Sequence, residues 1–194
     1  MPGFRRNKQN VRAALGAAGT AAGWENVRSS LGISHKELAA ALFALLTEGG
    51  ETARRAAEGM GFAVAGIHAH DGAEPAKNIV RRFIWHMNEE SGNAGWGIPV
   101  AFAEVLAACP PLAEEYHTIL LSYLLDLPGD SNYCDFAPLR SECYDAAELL
   151  LLRCPQYREP AKRFLADILA DPDPSCREKA RHLMRSVYPD ILSF

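Results

Sequence analysis

The chain has 194 residues, with 48% apolar and 23% charged residues, so it has the composition of an ordinary globular protein of one domain or two small ones. At this length roughly 70% of the unfolded surface can be buried, and stability therefore requires neither a metal nor a disulfide. The formal net charge of −4 argues against a broad nucleic-acid-binding surface.

The first 32 residues are predicted to form an N-terminal arm with one or two short cap helices. Their basic residues precede the first acid, Glu25, and are interpreted as a solvated tail, with a basic arm as the alternative: Arg5, Arg6, Lys8 and Arg12. The Ala/Gly-rich stretch that follows is a poor signal sequence, and no apolar run approaches the ~18 residues of a membrane span. We therefore expect a cytoplasmic protein that does not enter a membrane.

Helical periodicity dominates residues 33–194, and no alternating strand pattern is evident. A capping box from Ser34 to Glu37 begins the first predicted helix, and a stripe of Leu112, Tyr116 and Leu120 marks the fifth. Eight helices are predicted in this region: 35–48, 51–66, 74–90, 98–109, 111–127, 138–154, 159–170 and 174–187. The sequence thus predicts an all-α domain.

The eight helices fall into four pairs, with approximate repeats at 35–68, 73–109, 111–154 and 158–187. The segments LTEGGETARRAAEGMG and LADPDPSCREKARHLM share a turn rich in acids and in Gly or Pro, followed by Arg-x-x-Ala. The shared residue is Arg54 in the first pair and Arg177 in the last, with a looser copy at Arg140 and Gly97 in its place in the second pair. A helix-pair period of roughly 40 residues, as these bounds imply, is typical of HEAT and armadillo repeats, in which stacked pairs bury one continuous core.

These units resemble the HEAT-like repeats of the phycobilisome-lyase (E-Z) type, over about residues 35–190. The order of units, with IWHMNEESGNAGWGIP from Ile84 to Pro99, is similar to that of a group of uncharacterised bacterial HEAT-repeat proteins. The resemblance implies an α-α superhelix of about four helix pairs with an N-terminal helical cap, and it implies no established activity. In HEAT-like units the shared Arg bonds turn carbonyls or a neighbouring carboxylate, and we favour this role over ligand binding.

Few residues point to metal binding or catalysis. The five cysteines form no CxxC pair and are expected to be buried, reduced thiols: Cys109, Cys134, Cys143, Cys154 and Cys176. His86 with Glu89, Glu90 and Asn93 is weak evidence for a metal site, and the His68 and His70 pair is expected in a loop. E-Z-type di-iron hydroxylases use His-Glu dipeptides, and none of the six histidines here precedes Glu. No nucleophile motif is evident, so we expect no metal, cofactor or catalytic residue.

The stretch NEESGNAGWGIP, residues 88–99, could be an anion-binding loop or a turn. Its glycines permit close backbone approach, and a helix N-terminus follows it, which favours phosphate. No Lys or Arg lies between Glu89 and Cys109, however, and the segment matches no phosphate-binding motif. We therefore interpret it as the turn inside the second repeat, in which glycine tolerates positive φ.

Two tryptophans flank this turn. Trp85 points away from the apolar stripe of its helix, so it is either covered by an adjacent repeat, which we favour, or exposed for a partner. Trp96 is interpreted as a buried plug of the turn, because burial of a Trp gains much apolar area. The hypothesis for partner binding names these residues: Trp85, Trp96, Arg81, Asn88, Glu89, Arg54 and Arg55.

Three functions are weighed. The first, which we favour, is a non-catalytic scaffold or adaptor that binds a protein or peptide partner. The second is a helper enzyme or chaperone of the bilin-lyase kind that acts on a client protein, motivated by the repeat resemblance alone. The third is nucleic-acid binding, which would require the arginines to form a cationic concave groove and is not expected. The oligomeric state stays open.

Overall fold

The structure is a computed structural model that describes residues 2–89, 95–126, 129, 132–165 and 167–191. Within these residues it contains ten α-helices and no β-strand, which confirms the all-α class. The helices are α1 (Pro2–Ala14), α2 (Ala21–Leu31), α3 (His35–Phe43), α4 (Gly50–Asp71), α5 (Ala73–Met87), α6 (Ile98–Ala108), α7 (Pro110–Ser122), α8 (Ala137–Arg153), α9 (Arg158–Leu165) and α10 (Pro174–Val187).

The helix starts follow the local signals of the sequence. The predicted capping box is confirmed, since Ser34 Oγ accepts from the N–H of Glu37 and the Glu37 carboxylate accepts from the N–H of Ser34. Asp173 caps α10 by accepting from the N–H groups of Ser175 and Cys176. The helices α6, α7, α8 and α10 begin with proline at one of their first two positions, where its missing N–H costs nothing.

Several predicted boundaries are wrong. The first predicted helix ends at Phe43 and is followed by a short 3₁₀ turn, Leu46–Glu48. Helix α4 runs on to Asp71, so His68 and His70 lie in its last turn and not in a loop. The N-terminal basic residues are not a solvated tail, because α1 includes them and both Lys8 and Arg12 pair with Glu48.

The second helices of the predicted pairs pack in chain order, α4 on α6, α6 on α8 and α8 on α10. Helix α3 packs on α4, α5 packs on both α4 and α6, and α7 packs on both α6 and α8. Helix α1 packs on α3. A Cβ added at Gly61 would lie 2.7 Å from the Glu104 carbonyl oxygen, so this glycine allows α4 and α6 to approach closely. No helix in the described part of the chain has the length and apolarity to cross a membrane.

The core is continuous along this row of helices. The rings of Phe43, Phe83 and Phe102 follow one another at centroid distances of 5.8 and 5.9 Å and join α3, α5 and α6. The predicted stripe of α7 is confirmed, because Leu112, Tyr116 and Leu120 are all buried. All five cysteines are buried and free, as expected.

Candidate functional site

The turns that precede α4, α6, α8 and α10 are joined to one another by direct contacts, and we call this region the turn edge. A Cβ at Gly97 would lie 2.7 Å from the carbonyl oxygen of Leu46, which precedes α4. The N–H of Gly97 donates to Glu142 Oε2, on α8, at 2.7 Å. Arg140, also on α8, pairs with Asp171 in the turn before α10. The turn edge therefore runs from the start of α4 to the start of α10.

The predicted structural role of the shared arginines is confirmed at two of three positions. Arg140 donates to the turn carbonyls of Cys134 and Asp135 and to the Asp171 carboxylate. Arg177 donates to the carbonyls of Asp171 and Pro172. The prediction is wrong for Arg54, which instead pairs with Glu51 and Glu58 on its own helix.

In the turn before α6, Gly97, which the predicted repeat aligns with the shared arginines, has a φ of 73°. Its N–H already donates to the Glu142 carboxylate, so it is not free for phosphate, and Glu142 would repel an anion at this helix start. Burial raises the pKa of Glu142, and the hydrogen bond from Gly97 opposes that rise. The contacts support a turn and not an anion site. Residues 90–94 of this stretch lie outside the described residues.

Trp96 is not a buried plug, since 38% of its surface is exposed. Its ring meets that of Phe136 edge-on at a centroid distance of 5.8 Å, and Phe136 is itself 51% exposed. Beside Trp96 lies a pocket of about 310 Å³ whose walls include Leu46, Ala57, Val100, Arg54 and Glu142. The turn edge thus presents an exposed aromatic pair next to a small, largely apolar depression.

Trp85 is exposed over 59% of its surface, so the favoured expectation that a neighbouring repeat covers it is wrong. One edge of its ring contacts His86, with centroids 4.8 Å apart. Burial lowers the pKa of His86, and the Arg82 charge acts in the same direction. The segment that carries Trp85 meets the turn edge, because Gly95 packs against the His86 carbonyl and Asn88 Nδ2 donates to Asn132 Oδ1 at 3.4 Å.

The other predicted site residues are divided between two places. Arg81 and Asn88 are exposed and Glu89 is partly buried near Trp85, and the Arg81 guanidinium donates to Glu74 and Asn78. Arg54 lines the pocket beside Trp96, whereas Arg55 pairs with Glu51 and Glu58. No ring contact joins Trp85 to Trp96 in the described part of the chain.

Sequence reasoning missed Phe136 and Glu142. Phe136 precedes α8 directly, and nothing in its local pattern indicates that its ring would meet Trp96, 40 residues earlier in the sequence. In the sequence, Glu142 is indistinguishable from any other acid on a helix. Only its hydrogen bond from the Gly97 N–H shows that it joins α8 to the turn before α6.

A cleft of about 830 Å³ lies between α2 and the row formed by α4, α6 and α8. Its carboxylates are paired: Glu104 accepts from Arg153 Nη1 at 2.6 Å, and Glu58 pairs with Arg54 and Arg55. Burial raises the pKa of Glu104, and the charge of Arg153 opposes that rise. Each of these two acids already has an arginine partner, so neither carboxylate is free to bind a ligand in the cleft.

A pair of imidazoles closes one side of this cleft. The His35 ring stacks on His70 at 5.3 Å and tilts against Phe62 at 5.6 Å. Burial lowers the pKa of His35, and the nearby Arg28 charge lowers it further. These rings join the start of α3 to the last turn of α4, which gives them a packing role.

Metal ligands are not brought together in the described residues, where no three His, Cys, Asp or Glu side chains are close enough to hold an ion. Two features therefore remain as candidates for recognition, the exposed aromatics near the turn edge and the charge-paired cleft. Comparison of the chain with protein-family models, with curated proteins and with solved structures finds no match, so the resemblance to HEAT-like repeats stays a prediction based on the residues of the chain itself.

Proposed function

We propose that this chain is a non-catalytic scaffold that binds a protein partner through Trp85, Trp96 and Phe136. The observation that carries the proposal is the exposure of these three aromatic side chains, 59%, 38% and 51%, on segments that contact one another. Aromatic residues dominate the binding energy of protein interfaces, because their large rigid surfaces gain much on desolvation.

The contacts between the three segments support a single surface. Gly95 places its backbone against the end of α5, one residue from Trp85, and Trp96 follows it directly. Trp96 then meets Phe136 edge-on, and Asn88 meets Asn132. We therefore propose that one partner covers this region and contacts both tryptophans.

The pocket beside Trp96 indicates which partner chemistry fits. At about 310 Å³ it is large enough for one apolar side chain, and its walls include Leu46, Ala57 and Val100. Arg54 and Glu142 supply polar groups at its border. We therefore propose a peptide segment that inserts an apolar side chain here and lays further apolar surface on Phe136 and Trp96.

An α-α superhelix is the arrangement that we propose for the helices. The packing of α4, α6, α8 and α10 in chain order supports it, as do the contacts of α5 and α7 with two members of that row each. In such an arrangement the turn edge is a long continuous border, which suits a scaffold.

The alternative functions receive less support. A nucleic-acid surface needs free cationic charge, but Arg54, Arg55 and Arg81 are neutralised by acids on their own helices, and Arg140 and Arg177 bond the turns. A bilin-lyase-like activity rests on the repeat resemblance alone.

The test is capture of a partner followed by measurement with purified components. The tagged chain is used to isolate binding proteins from the cell that makes it, and the most enriched protein is purified and titrated calorimetrically. Trp85→Ala, Trp96→Ala and Phe136→Ala should each weaken binding by roughly 30-fold, the effect of losing about 2 kcal/mol at an interface anchor. Phe4→Ala is the matched control, since Phe4 is 41% exposed on α1. Equal affinity for all four variants would refute the proposed surface.

A further inference from the structure

A groove of about 320 Å³ lies between α3 and α5, the two helices that pack on α4. We call it the α3–α5 groove. Helix α4 contributes Met60 and Ile67 to its lining, and both residues are fully buried. The flanking helices contribute further apolar side chains: Ala39, Ala40, Phe43, Pro75 and Ile79. This lining suits an apolar side chain, as does the pocket of similar volume beside Trp96.

Two cations also line the α3–α5 groove, and they differ in their partners. Lys36 Nζ donates to Asp71 Oδ1 at 2.9 Å, so its charge is compensated. The Arg82 guanidinium lies over the Phe43 ring, with its central carbon 3.8 Å from the ring centroid. No other described residue forms an ion pair or a hydrogen bond with it. The remaining arginines and the lysine of α4 and α5 each pair with a carboxylate: Arg54, Arg55, Lys77 and Arg81.

The position of Arg82 prepares it for a carboxylate. Its contact with the Phe43 ring restrains the guanidinium but occupies none of its N–H donors in a hydrogen bond. A planar guanidinium binds a carboxylate through two parallel hydrogen bonds, and a side chain that is already restrained loses less conformational entropy on binding. Because Arg82 is exposed, a carboxylate from another molecule can reach it at the border of the apolar groove.

The α3–α5 groove continues into the exposed aromatic surface. The Phe43 ring meets His86 at a centroid distance of 5.3 Å, and the His86 ring meets that of Trp85 at 4.8 Å. Trp85 follows Arg82 by three positions in α5, so the two side chains are neighbours on one side of the helix. The backbone of Gly95 lies against the His86 carbonyl group. A partner segment on Trp85 can therefore extend into the groove.

We propose that the α3–α5 groove binds an acidic, apolar peptide segment of the partner, with an aliphatic side chain in the groove and a carboxylate on Arg82. The inference rests on the proposed function, because it assigns the chemistry of the partner at one end of the same surface. The stretch of α3 from Lys36 to Phe43 is about 10 Å long, equal to roughly three extended residues or two helical turns of a bound peptide. An aliphatic residue within four positions of Asp or Glu therefore satisfies both contacts.

The apolar lining favours a peptide over a phosphate-bearing polymer. A nucleic acid would engage Arg82 but would leave the apolar walls of the groove uncovered, and the neighbouring cations on α4 and α5 already have carboxylate partners. A peptide gains from both parts of the site, because its apolar side chain is desolvated and its acid compensates the charge of Arg82.

The probe is a library of random dodecapeptides displayed on phage and selected on the immobilised full-length chain. Enriched sequences should share an aliphatic residue within four positions of Asp or Glu. The most enriched peptide is synthesised with a fluorophore, and its affinity for the purified wild-type chain is measured by fluorescence anisotropy. Replacement of its acid by the amide, or of its aliphatic residue by alanine, should each weaken binding about tenfold. These measurements need no variant of the chain.

Variants of the chain then locate the bound peptide. Arg82→Gln should weaken binding about tenfold, and Arg82→Glu should prefer a peptide with Lys in place of its acid. Ala40→Leu should also weaken binding, because the longer side chain fills part of the groove. The matched control is Arg185→Gln, which removes the same charge from α10, where Arg185 pairs with Glu178 at 3.3 Å, and it should bind as wild type does. Circular dichroism checks that each variant is folded.

Several outcomes would overturn this inference. One is enrichment of peptides that lack an acid, and another is equal affinity of the peptide for wild type and Arg82→Gln. A third is a dimer in sedimentation velocity that Arg82→Glu dissociates, since the groove would then bind a second copy of the chain.

Failure of this inference can be distinguished from failure of the proposed function. If Trp85→Ala weakens binding of the cellular partner while Arg82→Gln leaves the affinity for the peptide unchanged, the aromatic surface stands and the groove assignment fails. If the peptide depends on Arg82 while the aromatic variants leave the affinity for the cellular partner unchanged, the groove is a peptide site and the proposed aromatic surface fails.

Discussion

Arg140 and Asp171 form a bidentate ion pair that is almost entirely buried between α8 and the turn before α10. Nε and Nη2 of the guanidinium donate to the two carboxylate oxygens at 2.9 and 3.0 Å, and the residues are 2% and 5% exposed. The Tyr144 hydroxyl and the N–H of Asp173 also donate to this carboxylate. The pair is therefore hydrogen-bonded in full, as a buried pair must be to offset desolvation.

Removal of one partner should destabilise the chain strongly. Arg140→Met leaves the Asp171 carboxylate buried without its counter-charge and also frees the carbonyls of Cys134 and Asp135. We expect the free energy of unfolding to fall by about 3–5 kcal/mol, measured by urea denaturation. Arg54→Met is the control, because its ion pairs are exposed, and it should cause little change. Equal losses for the two variants would contradict the assigned role of Arg140.

The same ion pair should make stability depend on pH in the acid range. Burial alone would raise the pKa of Asp171, but the hydrogen bonds from Arg140, Asp173 and Tyr144 outweigh it and lower that pKa. Asp171 therefore contributes stability above its unfolded pKa, about 3.9, and loses it as the pH falls through the folded value. The difference between wild type and Asp171→Asn in urea denaturation should shrink from pH 7 towards pH 3. A constant difference would show that Asp171 acts through packing alone.

Much of the helical framework can be predicted from the sequence, because apolar periodicity and caps are local. The capping box at Ser34 and the stripe through Tyr116 locate α3 and α7. The bonds of Arg140 and Arg177 to turn carbonyls are also local, within six residues. Arg54 does not bond the turn carbonyls, because Glu51 and Glu58 lie three and four residues from it on the same helix and bind its guanidinium instead.

Contacts between distant segments cannot be read from a local pattern. Helical geometry turns Trp85 to the polar face, but whether another helix covers that face depends on packing across the whole domain. The pairing of Trp96 with Phe136 and the approach of Gly61 to Glu104 each join segments about 40 residues apart. The candidate site was therefore predicted at Trp85 and Trp96 but not at Phe136.

Glu104→Gln should not destabilise the chain at neutral pH. Burial raises the pKa of Glu104, so its contribution to stability is complete below the unfolded pKa, about 4.3, and is lost as the pH rises through the folded value. At pH 7 the ionised, buried carboxylate of Glu104 therefore opposes folding. The Arg153 side chain is 54% exposed, so water can solvate its guanidinium when the carboxylate is removed. Urea denaturation at pH 7 should find the variant at least as stable as wild type, with a smaller advantage at pH 5. Glu159→Gln, at an 82% exposed side chain, is the control and should change the free energy of unfolding little. A loss for Glu104→Gln that is larger at pH 7 would contradict this reasoning.

Trp85→Ala should leave the fold intact, which separates a binding defect from unfolding. Since 59% of this side chain is exposed, we expect the free energy of unfolding to change by no more than about 0.5 kcal/mol. Trp24→Ala is the contrasting variant, because Trp24 is 2% exposed, and its loss should cost about 3–5 kcal/mol. Thermal and urea denaturation of both variants measure the difference. A large loss for Trp85→Ala would mean that this ring supports the fold and is not free for a partner.

Gly97→Ala should be more damaging than Gly32→Ala, although both glycines have a left-handed conformation, with φ of 73° and 61°. Such a conformation costs a residue with a Cβ roughly 1–2 kcal/mol at either position. At Gly97 the added Cβ would also lie 2.7 Å from the Leu46 carbonyl oxygen, whereas nothing lies within 4 Å of a Cβ at Gly32. The excess loss in urea denaturation therefore measures how tightly the turn before α6 packs against the turn before α4. Equal losses would show that the turn before α6 can move away from Leu46. Hydrogen exchange of the Gly97 N–H, which donates to Glu142, would then be fast.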